Sequence, residues 1–391
     1  MKRGLSFAFV LKNLWARRLT TLLTVAGMAL VVFVFACVLM MTEGLRKTMA
    51  GTGSYDNVVL IRKGSQTEVQ SSITRDQARL ISTLNGLSTD AQGNANAAAE
   101  SLVLINLPRR DEGGGMANVV VRGTQPSALA MRPQIRLAQG RLFRAGTSEV
   151  VVGEGLTRGR LAVQLGDTLS FGARQWTVVG VFTADRSGFE SEVMADRDQV
   201  MQAFRRPVYS SVVVSLLDRA SYTDFEQAVL SQPSLNLDIR RESLFYADQS
   251  EKMANFIGIL GKSITFIFSL GAMIGATITM YSSVANRVRE IGTLRALGFQ
   301  RLNILNIFLM EAASLGGFAG LIGLFFAFWM QRFEISTTNV QTFSEVVFQL
   351  ILTPVTAVQV LLFALFMGAF GGMLPAWRAS RMEIVDALRN G

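Results

Sequence analysis

The chain has 391 residues, half of them hydrophobic and only 17% charged, with a mean hydropathy of +0.33, which is too apolar for an ordinary soluble globule. It contains no histidine and one cysteine, Cys37; this excludes an intramolecular disulfide, every Ser-His-Asp or Cys-His scheme and most zinc sites. The net charge of +9 and pI of about 10.2 suit either nucleic acid or a membrane, and the positions of the charges decide between them.

Ahead of the first long apolar run, Phe7, Leu11, Leu14 and Trp15 with Lys12, Arg17 and Arg18 predict an amphipathic segment (1–18) lying on the inner membrane surface. A bilayer core needs roughly 20 apolar residues in a helix, and four uncharged runs reach that length: Leu19–Thr42, Ser263–Asn286, Ala312–Gln331 and Val346–Trp377. The first is too long for a signal-peptide h-region and no A-x-A site follows it before Glu43, so it reads as a retained span over 19–42. Residues 43–252 then form a domain of soluble character. Segments rich in β-branched residues (Asn57–Ile61, Ala117–Val121, Glu149–Val152, Trp176–Phe182, Ser211–Leu216) predict strands, and Arg75–Leu84 and Thr223–Leu230 predict helices. Thr89–Ala99 and Arg109–Gly115 read as loops. The coarse expectation is a mainly β insert between two mixed α/β flanks. Spans over 254–286, 304–331 and 355–377 follow, joined by a segment at 287–303 and a short outer loop at 332–353, with a tail at 378–391. Pro354 stands at the start of the last span and Pro375 near its end. The fold class is a membrane α-helical protein with four transmembrane helices and a large α+β extracytoplasmic domain between helices 1 and 2.

Basic residues orient the spans. Lys2, Arg3, Lys12, Arg17 and Arg18 precede span 1; Arg287, Arg289, Arg295 and Arg301 against Glu290 lie between spans 2 and 3; Arg378, Arg381 and Arg389 against Glu383 and Asp386 form the tail. These segments carry +5, +3 and +1, together the whole net charge of +9. Both termini and the 2–3 segment are therefore expected in the cytoplasm and residues 43–252 outside it. The basic excess is topological, and no nucleic-acid partner is expected.

Within 287–301, Val288, Ile291, Leu294 and Leu297 recur every three residues, flanked by Arg289, Glu290 and Arg295 and closed by Gly298 as a stop signal. The positive-inside rule accounts for the arginines but not for an apolar stripe facing cytosol, which suits docking into a groove of a cytoplasmic partner. Gly271 with Gly275, Gly316 with Gly320, and Gly368 with Gly372 permit close helix contact, within the chain or between copies. Lys262 and Glu311 are ionisable residues within or beside spans; Lys262 can snorkel to the outer surface, whereas Glu311 serves either a structural hydrogen bond or transmission. The string Phe256–Ser263 ends like a phosphate-binding loop, but Phe256 replaces its first glycine and no nucleotide site is expected there.

"REIGTLRALGF" between spans 2 and 3 resembles the signature of the MacB/FtsX-like permease family, the membrane subunits of type VII ABC systems. The resemblance extends to "LKNLWARRLTTLLTVAGMAL" at span 1, "GRLFRAGTSEVVVGEGL" with "LGDTLSFGARQWTVVGVF" in the outer domain, and "PAWRASRMEIVDALR" after span 4. It implies that Glu290–Gly298, with Arg289, Ile291, Gly292, Leu294, Arg295 and Leu297, is a coupling helix gripped by a cytoplasmic ABC ATPase, which would carry the ATP and Mg. About 18 residues precede the first span, so the ATPase is expected in a separate chain, and neither enzymatic activity nor cofactor nor metal is expected in this one. The resemblance further implies the bacterial inner membrane, a second permease copy or paralogue, and mechanotransmission for export, with a periplasmic adaptor and outer-membrane channel as possible partners. The alternative is an FtsX-like signalling permease that activates a cell-wall hydrolase without transport.

Overall fold

The structure, a computed structural model, describes residues 18–110, 114–158, 161–339 and 341–382. The amphipathic segment expected ahead of span 1 and the end of the tail fall outside these residues. A 33-residue helix, α1 (Arg18–Ala50), leads to β1 (Asn57–Arg62) and α2 (Arg75–Ile81). β2 (Ala97–Pro108) and β3 (Met116–Thr124) pair as a hairpin, followed by β4 (Arg136–Gly140), β5 (Glu149–Gly153), β6 (Thr168–Phe171), β7 (Arg174–Thr183) and β8 (Glu192–Asp196). Next come α3 (Arg197–Ala203), β9 (Ser211–Ser215), α4 (Ser221–Leu230) and β10 (Leu237–Arg241). The 44-residue helix α5 (Glu242–Ala285) starts directly after β10, and α6 (Val288–Ala296), α7 (Arg301–Met330), β11 (Glu334–Thr338), β12 (Glu345–Gln349) and α8 (Pro354–Ser380) complete the chain.

The chain divides into two compact units: a helical one from Met1–Glu43, Asn255–Phe333 and Leu350–Gly391, and a sheet unit from Gly44–Ala254 and Glu334–Gln349. α1, α5, α7 and α8 are each long and apolar enough to cross a membrane, matching the four expected spans. All four exceed the roughly 20 residues that the bilayer core requires, α1 and α5 by the most, at 33 and 44 residues. Pro354 occupies the first helical turn, where a missing N–H costs nothing, with Thr353 as N-cap; Pro375 is buried inside α8.

The sheet unit holds a ten-stranded sheet in the order β10-β1-β9-β2-β3-β8-β5-β7-β4, with β6 on β7. The pairs are antiparallel except β3 with β8 and β5 with β7. β2 joins two halves: Ala97–Glu100 pair with β9 and Ser101–Pro108 with β3. The flanking half, with α2 and α4, encloses Val58, Leu60, Ile81, Val212, Val214 and Phe225; the β insert encloses Val119, Val121, Val150, Val152, Trp176 and Val193. This is the β insert between mixed flanks that the composition suggested. α2 is started by a capping box of Thr74 and Gln77, and α3 by Asp196, whose carboxylate accepts from the Gln199 N–H at 2.9 Å.

Two expectations need correction. Ala97–Ala99, read as loop, are the start of β2; alanines carry little strand signal, but here they lie against β9. The outer loop at 332–353 contains the β11–β12 hairpin, which belongs to the sheet unit: Glu345 pairs with Arg109, the Asn118 amide donates to the Phe343 carbonyl at 2.8 Å, and the Val347 N–H donates to Ser191 Oγ at 3.0 Å.

Candidate functional site: the helix between spans 2 and 3 and a buried charge cluster

α5 ends at Ala285, Arg287 breaks the helical path at φ −121°, ψ 19°, and α6 follows. At the other end Gly298 adopts φ +92°, a conformation that disfavours any residue with a side chain. Phe299 N–H returns to the Leu294 carbonyl at 3.1 Å and Gly298 N–H to Arg295 at 3.1 Å, a Schellman stop as the glycine suggested.

The apolar stripe does not form one outward ridge. Ile291 is 2% exposed and packs with Met280, Val284, Ile304 and Phe308 of the helical unit, and Leu294 leans against the same cluster. Gly292 is buried with Ile291, and Arg295 is half-buried. The exposed surface includes Arg289, Glu290, Thr293, Leu297 at 73% and, past Gly298, Phe299 at 43%. A period of three on a 3.6-residue helix drifts around the axis, so the stripe begins in the unit's own core and ends at solvent.

Glu311, on α7, is 3% exposed and accepts from Arg287 Nη1 at 2.8 Å and from Ser283 Oγ at 3.4 Å. Lys262 is exposed and takes no part in this arrangement. The glycine pairs separate into two kinds. A Cβ at Gly316 would lie 2.3 Å from the Ala364 carbonyl oxygen, one at Gly320 2.9 Å from the Ala364 Cβ, one at Gly368 2.6 Å from the Ala312 oxygen and one at Gly372 2.2 Å from the Ala312 Cβ. These four therefore let α7 and α8 pack closely. Gly271 and Gly275 meet nothing within 4 Å; with Gly27 they line an open groove of about 460 Å³ between α1 and α5.

Sequence reasoning missed a second constellation, inside the sheet unit. Arg122 on β3 and Arg132 beyond it are fully buried beside Glu68, Glu100, Glu192 and Glu242. Arg122 donates to Glu192 at 2.6 and 2.9 Å and to Glu100 at 2.7 Å; Arg132 donates to Glu100 at 2.7 and 3.0 Å and to Glu242 at 2.8 Å. The Phe189 ring lies 5.1 and 4.8 Å from the two guanidinium carbons. Burial pushes the Glu100 carboxyl up, but Arg132, Arg122 and the Thr124 hydroxyl overcome that and hold it down at about 2. At Glu192, whose donors among the described residues come from Arg122 alone, burial wins and the carboxyl is raised. The only sequence signal was a charged residue inside an apolar strand, Arg122 after Val119–Val121 and Glu100 before Leu102–Ile105.

The cluster gathers the ends of both long helices within this unit. Glu242 opens α5 and accepts from the Ser54 N–H and the Asn57 amide, both at 3.0 Å, just beyond α1. Thr52 accepts from the Gly188 N–H at 2.8 Å, and a Cβ at Gly53 would sit 2.6 Å from the Glu242 carbonyl carbon. No group of three or more His, Cys, Asp or Glu side chains among the described residues is arranged to hold a metal ion.

Residues 21–232 match the model of the MacB-like periplasmic core domain, and residues 262–384 that of the FtsX-like permease C-terminal domain. Relatives include the macrolide export ATP-binding/permease protein MacB of Hahella chejuensis, 29% identical over 62% of this chain and 38% of that protein. Another is MacB of Campylobacter jejuni subsp. jejuni serotype O:2, 23% identical over 98% of this chain and 61% of that protein. The chain thus spans 38% and 61% of the lengths of these two. The periplasmic region of MacB from Actinobacillus actinomycetemcomitans aligns with 51% of the chain and 94% of that structure at 17% identity and a TM-score of 0.38.

Proposed function

The chain belongs to the MacB/FtsX-like family of ABC-transporter permeases, and from that membership we propose that it is a transmembrane subunit that converts ATP hydrolysis by a cytoplasmic ABC ATPase into movement of a periplasmic domain. It sits in the bacterial inner membrane with both termini and α6 in the cytoplasm and the sheet unit in the periplasm, in keeping with the basic segments at 1–18 and 287–301. The observation that carries the reading is α6 itself: a nine-residue helix anchored by Ile291 on one side and presenting Arg289, Glu290, Thr293, Leu297 and Phe299 on the other. A charged rim around two exposed apolar side chains suits a groove on a partner protein.

Mechanotransmission draws support from helix length. At 1.5 Å per residue α1 and α5 run to about 50 and 66 Å, against a bilayer core of about 30 Å, and both end at the buried cluster of the sheet unit. The substrate is exported from the periplasm or the membrane, because the described spans carry no row of charged residues that would line a pore. The open groove at Gly27, Gly271 and Gly275 suits a second permease copy or a paralogue; a periplasmic adaptor and an outer-membrane channel would complete the export path. Purification of the full chain from native membranes, with identification of the bound proteins, tests the proposal. An ABC ATPase in near-stoichiometric amount is expected; intact, correctly inserted permease without one would contradict it.

A further inference from the structure

We propose that Glu311 is the positioning residue of the coupling helix and acts through Arg287. The functional weight of that assignment rests on reading α6 as the ATPase contact. Arg287 is the residue at which α5 gives way to α6. Its carbonyl accepts the Ile291 N–H at 3.0 Å, the first main-chain bond of α6, while its guanidinium reaches Glu311 on α7 at 2.8 Å. One residue therefore belongs at once to the backbone of the coupling helix and to an ion pair with the next span. Ile291, seated among Met280, Val284, Ile304 and Phe308, fixes a second point. Two fixed points on a nine-residue helix set its direction, and the Gly298 turn sets where the exposed Leu297 and Phe299 end up.

Stability does not explain the choice of a charged pair. Both partners are buried, at 9% and 3% exposure, and apolar residues of similar volume usually serve a buried site as well or better. An apolar contact, however, fills space without specifying an angle, whereas a hydrogen-bonded ion pair is directional. Without Glu311 the buried guanidinium is left uncompensated. Its long stem lets the head swing to water, and the start of α6 moves with it.

Hydrogen–deuterium exchange of the full chain in lipid nanodiscs tests this without reference to the ATPase. Glu311→Gln, which keeps shape and removes charge, is expected to speed exchange in peptides covering 288–298 by about tenfold, the loss of one local clamp, with 304–330 and 354–380 unchanged. The exchanged pair Arg287→Glu with Glu311→Arg is expected to restore protection. Should Glu311→Gln fail to accumulate, Arg287→Lys, which keeps the charge but loses the planar fork, is expected to give the same local rise. Unchanged exchange at 288–298, a rise spread evenly over the helical unit, or a rise that the exchanged pair does not reverse would each overturn the inference. ATPase capture by the wild-type chain is scored separately, so its failure strikes the functional reading and leaves the exchange result to decide the role of Glu311.

Discussion

Arg132 donates to Glu242, the first residue of the 44-residue helix α5, and with the same guanidinium grips Glu100 in the middle of the sheet. The helix that runs on to become the second span is thus bonded to the sheet through a buried guanidinium as well as through the Asn57 amide of β1. Arg132→Met removes the cation and leaves Glu242 and Glu100 short of a partner. Breaking a buried pair from one side costs about 3–5 kcal/mol. In a thermal melt of the full chain, the sheet-unit transition is expected to fall by roughly 6–20 °C at the usual 2–4 °C per kcal/mol for a domain of this size; a shift under 2 °C would show that the guanidinium is dispensable.

The four carboxylates and two guanidiniums of the cluster would carry two excess negative charges if all were ionised. Glu100 is held at about 2, below its ordinary 4.5, so its stabilising contribution is complete above pH 4.5 and is lost as the pH falls toward 2. Glu192 is raised, so its contribution has the opposite sign: the folded state holds that proton more tightly, and stability grows as the pH falls through its folded value. At pH 7 Glu100→Gln is expected to cost about 3 kcal/mol or more, and Glu192→Gln less than about 1 kcal/mol because it also removes an excess charge. Melting curves between pH 7 and pH 3 check both the order of the two variants and the loss of acid sensitivity in Glu100→Gln. Equal destabilisation by the two would refute the assignment.

The two kinds of glycine pair behave differently on substitution. Gly316→Val places a side chain against the Ala364 carbonyl and forces α7 from α8, so misfolding or loss of membrane accumulation is expected. A Cβ at Gly275 would meet no atom of a neighbouring element within 4 Å. The monomer fold is expected to persist, while cross-linking between copies falls if that groove is the dimer seam. Disruption of the monomer by Gly275→Val would show that the groove is filled from within.

Much of the fold was legible in the sequence because the lipid constraint acts on long segments. The four runs and Gly298 as a helix stop each depend on a single strong physical term. The errors arose where tertiary packing decides. Ile291, Leu294 and Leu297 share a sequence period, yet the chain fold buries the first and exposes the last. Ala97–Ala99 gain strand character only by pairing with β9, and the hairpin at 334–349 is held in place by residues more than 150 positions away, such as Ser191. The Arg122–Arg132 cluster joins residues from 68 to 242 that no local motif connects.

The most direct test of the account compares Leu297→Glu with Leu294→Glu. Leu297 stands exposed on the face assigned to the ATPase, whereas Leu294 leans on the helical unit's own cluster. Leu297→Glu is expected to leave correctly inserted permease with a wild-type melt, yet to weaken ATPase binding over a hundredfold, about 3 kcal/mol for an unpaired charge at a desolvated contact. Leu294→Glu is expected to disturb the permease itself, lowering its melt before any loss of partner. If Leu297→Glu membranes retain the co-purifying ATPase at the wild-type level and hydrolyse ATP at the wild-type rate, α6 is not the contact and the coupling account is contradicted.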